Sequence, residues 1–287
     1  EFMGKLSKFI HTFFKDKKVI ISDSFEEGEG EHKIFEYIRE NLGSPKHTKK
    51  SIIYGLDSDL IMLTLNHLHI NQHLYLFRET PHFIKTIDKT LDPNELYVLD
   101  IPKFETSITQ ELQANPKQSS IKDYIFISFL LGNDFIPHFP ALNIRTNGID
   151  YIMDAYKKTI STRCCLINDQ NEIQWKHFRK MMDYLAKNEY HYLKKEYDIR
   201  EKQERKYKRL YANLEKKENL ENKFEVLPIL DRKKEYYIDV GKKQWEYRYY
   251  KILFDMDPTK EKIKNICINY LEALEWTFKY YTSGCIN

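Results

Sequence analysis

The stretch Ser51-Ile-Ile-Tyr-Gly-Leu-Asp-Ser-Asp-Leu60 passes from an apolar segment through an acidic turn into a second apolar segment. Its first four residues predict a buried strand, and residues 60–68 predict a buried helix. A strand that leads directly into a helix is the repeating unit of a parallel α/β sheet. Ligands of such sheets bind at the carboxyl ends of the strands, which is where Asp57 and Asp59 lie.

The same alternation extends on both sides of this stretch. Apolar patterning predicts strands at residues 18–21, 51–54, 73–77 and 95–99, and helices at residues 2–13, 32–41, 60–68 and 121–131. After about residue 148 the pattern is helical, at residues 149–159 and 175–197 and again in the last block, 240–287. We therefore predict an α/β fold with a mostly parallel sheet flanked by helices, followed by a helical region.

The composition excludes several classes of protein. Hydrophobic residues make up 41% of the chain and aromatic residues 14%, enough for a large core. The 46 basic and 43 acidic residues leave a net charge of +3, which neither requires nor excludes nucleic acid. The cysteines lack zinc-site spacing, and no apolar run approaches the length of a membrane span. We expect an intracellular protein without a membrane partner, with the cytoplasm favoured over the nucleus, a choice that the sequence leaves open.

A second acidic pair, Glu29 and Glu31, alternates with Gly28 and Gly30 just before the helix predicted to start near His32. Residues two apart share one side of an extended segment, and glycine makes that path accessible, so the two carboxylates would converge. The alternative is that acids in the first turn of a helix favour its macrodipole. That alternative explains this pair when it is taken alone.

The other acids also have structural alternatives. Asp59 is a candidate N-cap for the helix that starts at Leu60, whereas Asp57 has no equally simple explanation. Asp134 follows Gly132 and Asn133 at the end of a long apolar helix, where a charge needs a cationic partner, or it belongs to a helix C-terminal turn.

Recurrence favours a metal site over these separate explanations. Three glycine-marked turns each bring acid to one edge of the predicted sheet: Glu29, Glu31, Asp57, Asp59 and Asp134. Ligand sets made only of oxygen select hard cations, so Mg²⁺ or Mn²⁺ is predicted and zinc is not. Two such ions about 3.5–4 Å apart would stabilise the attacking and leaving oxygens of a phosphodiester. The pattern predicts a metal-dependent nuclease.

Two later segments are predicted to be structural. Residues 194–223 are dense in Lys, Arg and Glu, and we favour a solvated helix or linker over a binding arm. The aromatic residues of the last block are predicted to pack in a core, with base stacking as the alternative.

The acidic motifs resemble those of the Xrn family of 5′→3′ exoribonucleases. The similar segments are 28–33 with 36–39, 54–63, 129–138, 140–144 with Gly148, 245–250, 270–276, and Tyr280-Tyr281 with Gly284. The resemblance implies a PIN-like α/β core related to flap endonucleases, two divalent metal ions and RNA with a 5′ monophosphate as substrate. It also implies that Glu29, Glu31, Asp57, Asp59 and Asp134 are metal-coordinating catalytic acids.

The resemblance also implies a division of the chain. Residues 1–150 would be the C-terminal part of the nuclease core, 151–193 its helical extension, 194–234 a charged linker, and 235–287 the start of a second helical block that packs on the core. Glu27 stands where the family usually has proline. Family members carry a preceding region with two further metal-binding aspartates and a basic pocket for the 5′ phosphate, so we expect an internal fragment or a divergent short form. The alternatives are a catalytically incomplete relative with an RNA-binding or structural role, and a flap-type DNA nuclease.

Overall fold

A computed structural model describes residues 2–42, 49–80, 84–113, 119–160, 164–214 and 229–284. The chain divides into two compact units. The first comprises Glu1–Glu111, Pro116–Ile125 and Trp276–Asn287, and the second comprises Leu112–Asn115 and Phe126–Glu275. Over the described ranges, none of the helices combines the length and apolar character needed to cross a membrane.

Helices dominate the described part of the chain. The elements, in chain order, are α1 (Phe2–Phe13), α2 (Gly30–Asn41), β1 (Ser51–Tyr54), α3 (Asp59–Asn66), β2 (Leu74–Phe77), α4 (Ile84–Ile87), β3 (Val98–Asp100), α5 (Ile101–Glu111), α6 (Ser119–Ser128), a 3₁₀ turn (Phe129–Leu131), α7 (Gly148–Thr159), α8 (Trp175–Leu214), α9 (Lys233–Ile238), α10 (Trp245–Phe254) and α11 (Lys260–Ser283). The chain is thus mostly helical, with a small sheet in its first unit.

The sheet is mixed, and the expectation of a mostly parallel sheet is not confirmed. Its order is β1-β2-β3. Strands β1 and β2 are parallel, with Ser51 opposite Leu74, whereas β2 and β3 are antiparallel, with Leu76 opposite Leu99. The strand predicted at residues 18–21 is wrong, because those residues are described and form no strand. A run of apolar residues needs a strand partner as well as β-propensity, and the Ile20 side chain is largely exposed here.

Apolar residues on the inner face of the sheet form the core of the first unit. Ile53, Leu74 and Leu76 point inward, whereas Ile52 and Tyr54 are exposed. Helices α3 and α5 pack against β2. This arrangement brings the turn after β1 and the start of α3 to one edge of the unit.

The core of the second unit lies between α7 and α8. Ile152 and Tyr156 of α7 and Met181 of α8 are buried, and the rings of Phe126 and Phe178 meet edge to face at 5.4 Å. The prediction that the helix starting at Trp175 ends at residue 197 is wrong, since α8 continues to Leu214. Ion pairs one turn apart support this extension, and they include Glu201–Arg205 at 3.0 Å and Glu204–Lys208 at 2.6 Å. The prediction of a helix is therefore confirmed for residues 194–214, but Glu196 and Glu204 on it are buried rather than solvated. Residues 215–223 of that segment lie outside the described chain.

The predicted segment boundaries at residues 150, 193 and 234 remain predictions. The observed units group residues 276–287 with the first part of the chain rather than with residues 235–275. Helix α11 is therefore divided at Trp276 between the two units.

Candidate active site

The first acidic turn precedes α2. Glu29 is the N-cap residue, with an extended backbone at φ −75° and ψ 144°, and Gly28 before it has φ +95°. The Lys33 ammonium donates to the backbone carbonyl oxygens of Asp23 at 2.9 Å and Glu26 at 2.6 Å, which closes the loop in front of Glu29. The helix starts at Gly30, two residues earlier than predicted, so Glu31 already lies in its first turn. The prediction that both acids share an extended segment is therefore wrong at Glu31.

The second acidic turn joins β1 to α3. Asp59 is the first residue of α3 and Ser58 is the N-cap, so the alternative in which Asp59 caps this helix does not hold. Asp57 is exposed, and its Oδ1 lies 3.5 Å from the Asp59 amide nitrogen, a long contact. The Asp59 side chain is half-buried and has a different partner.

Two adjacent tyrosines at the end of α11 contact both acidic turns of the first unit. The Tyr280 hydroxyl donates to Glu29 Oε2 at 3.2 Å, and the Tyr281 hydroxyl donates to Asp59 Oδ2. The ring centroids of the two tyrosines are 6.4 Å apart. Glu29 and Asp59 are therefore brought to the same end of one helix, although 30 residues separate them in the chain.

A histidine lies between these side chains. The His32 ring is 3.8 Å from the Tyr280 ring and 5.9 Å from the Tyr281 ring, measured between centroids. Its Nε2 lies 3.9 Å from Glu29 Oε2. Burial lowers the pKa of His32 below its usual value, against the opposing effect of the Glu29 charge. The neutral ring is thus favoured as a packing surface between α2 and α11.

Asp134 lies in the second unit, at an exposed turn built by the residue before it. The Asn133 side-chain oxygen accepts the amide hydrogens of Phe135 and Ile136, both at 2.9 Å. Gly132 has φ +90°, and a Cβ at that position would lie 3.0 Å from the backbone nitrogen of His138. This loop presents Asp134 to solvent, and the contacts that order it come from its neighbours.

The donor chemistry of the acidic turns suits a hard cation. All five predicted ligands are carboxylates, the side chains that Mg²⁺ and Mn²⁺ prefer. Within the ranges that the structure describes, however, no three side chains of His, Cys, Asp or Glu are grouped closely enough to hold a metal ion. The ligand type therefore fits, and the described residues do not by themselves complete a site.

Sequence reasoning missed the partners of the acids. Tyr280 and Tyr281 were expected to pack in a core or to stack on bases, and no role was assigned to His32. The first expectation holds in part, because both tyrosine rings are buried while their hydroxyls reach carboxylates. A polar tip on a buried aromatic ring needs a partner, and that requirement was the available signal.

The sequence matches two family models. Residues 1–80 match the XRN 5′-3′ exonuclease N-terminus, and residues 116–236 match the Xrn1 helical domain. The chain belongs to the Xrn family. The first match contains four of the predicted acids, and the second contains Asp134.

Curated relatives of this Xrn chain carry related names. It is 26% identical to the 5′-3′ exoribonuclease 2 homolog of Drosophila melanogaster, over 99% of the chain and 41% of that protein. It is 30% identical to a 5′-3′ exoribonuclease 2 of Cryptococcus neoformans, over 61% of the chain and 19% of that protein. It is 28% identical to 5′-3′ exoribonuclease 2 of Arabidopsis thaliana, over 73% of the chain and 25% of that protein. The Xrn chain thus spans less than half the length of these relatives.

Proposed function

We propose that this chain is part of a 5′→3′ exoribonuclease that hydrolyses RNA carrying a 5′ monophosphate. Its first unit is proposed to belong to a PIN-like nuclease core. Family membership supports this proposal, together with relatives that are named 5′-3′ exoribonuclease 2. Those names favour RNA over the DNA substrate of a flap-type nuclease.

The acids of the three turns are the proposed ligands of Mg²⁺ or Mn²⁺, with two ions as the expected number. The proposed ligands are Glu29, Glu31, Asp57, Asp59 and Asp134. Bound ions supply Lewis-acid stabilisation of the phosphodiester as its bonds change. The observation that carries the proposal is that Glu29 and Asp59, from two separate turns, contact the adjacent residues Tyr280 and Tyr281 respectively.

A catalytically incomplete relative that binds RNA is the second candidate. It is favoured by the lack, among the described residues, of any group of three potential ligands. Such a protein would retain contacts with RNA phosphates and lose hydrolysis.

We also propose that the protein is intracellular, in the cytoplasm rather than the nucleus. The segment boundaries at residues 150, 193 and 234 are part of the same proposal.

Decay of a labelled RNA separates the two candidates. The full-length polypeptide encoded by the gene is incubated with Mg²⁺ and RNA that carries a 5′ monophosphate and a label near either end. The exoribonuclease releases mononucleotides from the 5′ end, and excess chelator stops the release. RNA that stays bound and intact under the same conditions would refute hydrolysis and leave the incomplete relative.

A further inference from the structure

We propose that Tyr280 and Tyr281 are positioning residues of the nuclease site, each orienting the carboxylate of a different acidic turn. This inference rests on the proposed function, since it assigns a role to residues that touch the proposed metal ligands. The two tyrosines do not act on RNA themselves in this account. They determine where the Glu29 and Asp59 carboxylates are held.

Each of the two hydroxyls is paired with an acid of a different turn. Tyr280 donates to Glu29 Oε2 at 3.2 Å, and Tyr281 donates to Asp59 Oδ2. Successive residues of an α-helix point about 100° apart, so one helix end reaches two separate turns. Both donors belong to helix α11, which is rigid. This helix therefore determines the distance between the Glu29 and Asp59 carboxylates.

The rings of both tyrosines are fixed by their neighbours. Tyr281 is 1% exposed and Tyr280 is 7% exposed. Trp276, one helical turn earlier, stacks on Tyr280 with centroids 5.0 Å apart and planes 11° apart, and the His32 ring packs close to Tyr280 as well. A ring held by such neighbours delivers its hydroxyl to one place.

The end of α11 lies close to both acid-bearing helices. The Asn66 side-chain amide, on α3, donates to the Tyr281 backbone carbonyl at 3.0 Å. Gly284 has φ +88°, and a Cβ there would lie 3.0 Å from Nη2 of Arg39, which belongs to α2. Helix α3, which begins at Asp59, and helix α2, which follows Glu29, therefore both lie next to the end of α11 that carries the tyrosines.

The chemistry of a phenol suits this role. A phenol hydroxyl is a neutral donor, so it orients a carboxylate without contributing a positive charge that would compete with a cation. A carboxylate has about four acceptor positions, so it can accept a hydroxyl and still bind a metal ion. Loss of a group that orients a metal ligand typically weakens metal binding about 10–100-fold.

Three phenylalanine variants of the full-length polypeptide test the inference. Tyr280→Phe and Tyr281→Phe remove one hydroxyl each and keep the buried ring. Tyr247→Phe is the matched control, because the Tyr247 hydroxyl also donates to a carboxylate, that of Asp257 at 2.9 Å, in an exposed pair that includes none of the proposed ligands. The measurements are Mn²⁺ affinity by calorimetric titration without RNA, kcat and KM on 5′-monophosphorylated RNA, and the melting temperature.

The expected result is a loss of about tenfold in Mn²⁺ affinity and in kcat for Tyr280→Phe and Tyr281→Phe, with KM unchanged. Tyr247→Phe should match the wild type in Mn²⁺ affinity and in kcat. Wild-type Mn²⁺ affinity and kcat in both site variants, with only a lower melting temperature, would show that the hydrogen bonds are purely structural and would overturn the inference.

The Asp57→Asn variant separates this inference from the proposed function. If the wild type binds Mn²⁺, Asp57→Asn does not, and the two tyrosine variants bind as the wild type does, the function stands and the positioning role falls. If the wild type neither binds Mn²⁺ nor degrades RNA, the proposed function fails and the positioning role fails with it.

Discussion

The Tyr281 hydroxyl donates a hydrogen bond to the Asp59 carboxylate across 222 residues of chain. This bond attaches the end of α11 to the first residue of α3, directly after the strand-turn motif that the sequence marks as a ligand site. A hydrogen bond to a charged acceptor contributes about 1.5–3 kcal/mol, more than a bond between neutral groups. It therefore links the stability of the first unit to the geometry of an acidic turn.

A double-mutant cycle measures this bond in the absence of metal. Tyr281→Phe and Asp59→Ala should each lower the free energy of unfolding, because each removes one partner of this bond. The double variant should lose less than the sum, with a coupling energy of about 1–2 kcal/mol. Urea denaturation of the four proteins gives the coupling. Strict additivity would mean that the two side chains do not interact in solution.

His67 should titrate well below the usual range of histidine. Its Nδ1 lies 2.7 Å from the Leu63 carbonyl oxygen, which only accepts, so Nδ1 carries the hydrogen and Nε2 accepts from Arg39 Nη1 at 2.9 Å. Burial lowers the pKa of His67 to about 4, and the Leu63 carbonyl opposes that shift. NMR titration of the imidazole should show this value. Titration near 6.5 would contradict the assigned neutral form.

The low pKa of His67 also predicts how stability depends on pH. The unfolded chain binds the proton near pH 6.5 and the folded chain near pH 4, so the contribution is complete above pH 6.5 and is lost as the pH falls towards 4. The difference corresponds to about 3 kcal/mol. Urea denaturation at pH 7 and pH 5 should show a smaller drop in His67→Gln than in the wild type. Equal drops in both proteins would refute this linkage.

Gly132→Ala should destabilise the loop that carries Asp134. The backbone at Gly132 has φ +90°, and a Cβ would meet the His138 backbone nitrogen at 3.0 Å, so both strain and contact oppose the methyl group. The expected loss is about 1–3 kcal/mol in the free energy of unfolding. Gly4→Ala is the control, because Gly4 lies within α1 with no atom within 4 Å of an added Cβ. Because alanine has the higher helix propensity, Gly4→Ala should leave the free energy of unfolding unchanged or raise it. A Gly132→Ala variant that is likewise not destabilised would contradict the observed backbone.

Arg232→Met should weaken the second unit far more than Arg205→Met. The Arg232 side chain is fully buried, and it bonds Glu204 at 2.9 Å and Glu235 at 2.6 Å. Removing one partner of a buried ion pair costs about 3–5 kcal/mol, whereas an exposed pair such as Arg205–Glu201 contributes about 0.5 kcal/mol. Thermal unfolding of both variants gives the comparison, and similar melting temperatures would contradict the account.

Local patterns predicted the helices better than the sheet. The apolar spacing in Phe2–Phe13 and Gly148–Thr159 follows the helical period, and both helices are present. The run at residues 18–21 has β-propensity but pairs with no strand in the part of the chain that the structure describes. Pairing is a property of the whole fold that a short run does not encode. The continuation of α8 to Leu214 depends on ion pairs along its surface and on Arg232, which lies far away in the chain.

The sequence predicted the acidic residues of the candidate site but not the side chains that contact them. The spacing of Asp57 and Asp59 after a strand marks a ligand position from sequence alone. No local pattern connects Asp59 with Tyr281, because a contact over this sequence separation is made only when α11 packs on α3. The acids as metal ligands remain a prediction.

Decay of 5′-monophosphorylated RNA by the full-length polypeptide and two acid variants tests the central claim most directly. Asp57→Ala removes a proposed ligand of the first unit, and Asp134→Ala removes one of the second. The account predicts that each variant still binds the RNA and loses at least about 100-fold in the rate of decay with Mg²⁺. Decay at the wild-type rate in both variants would contradict it.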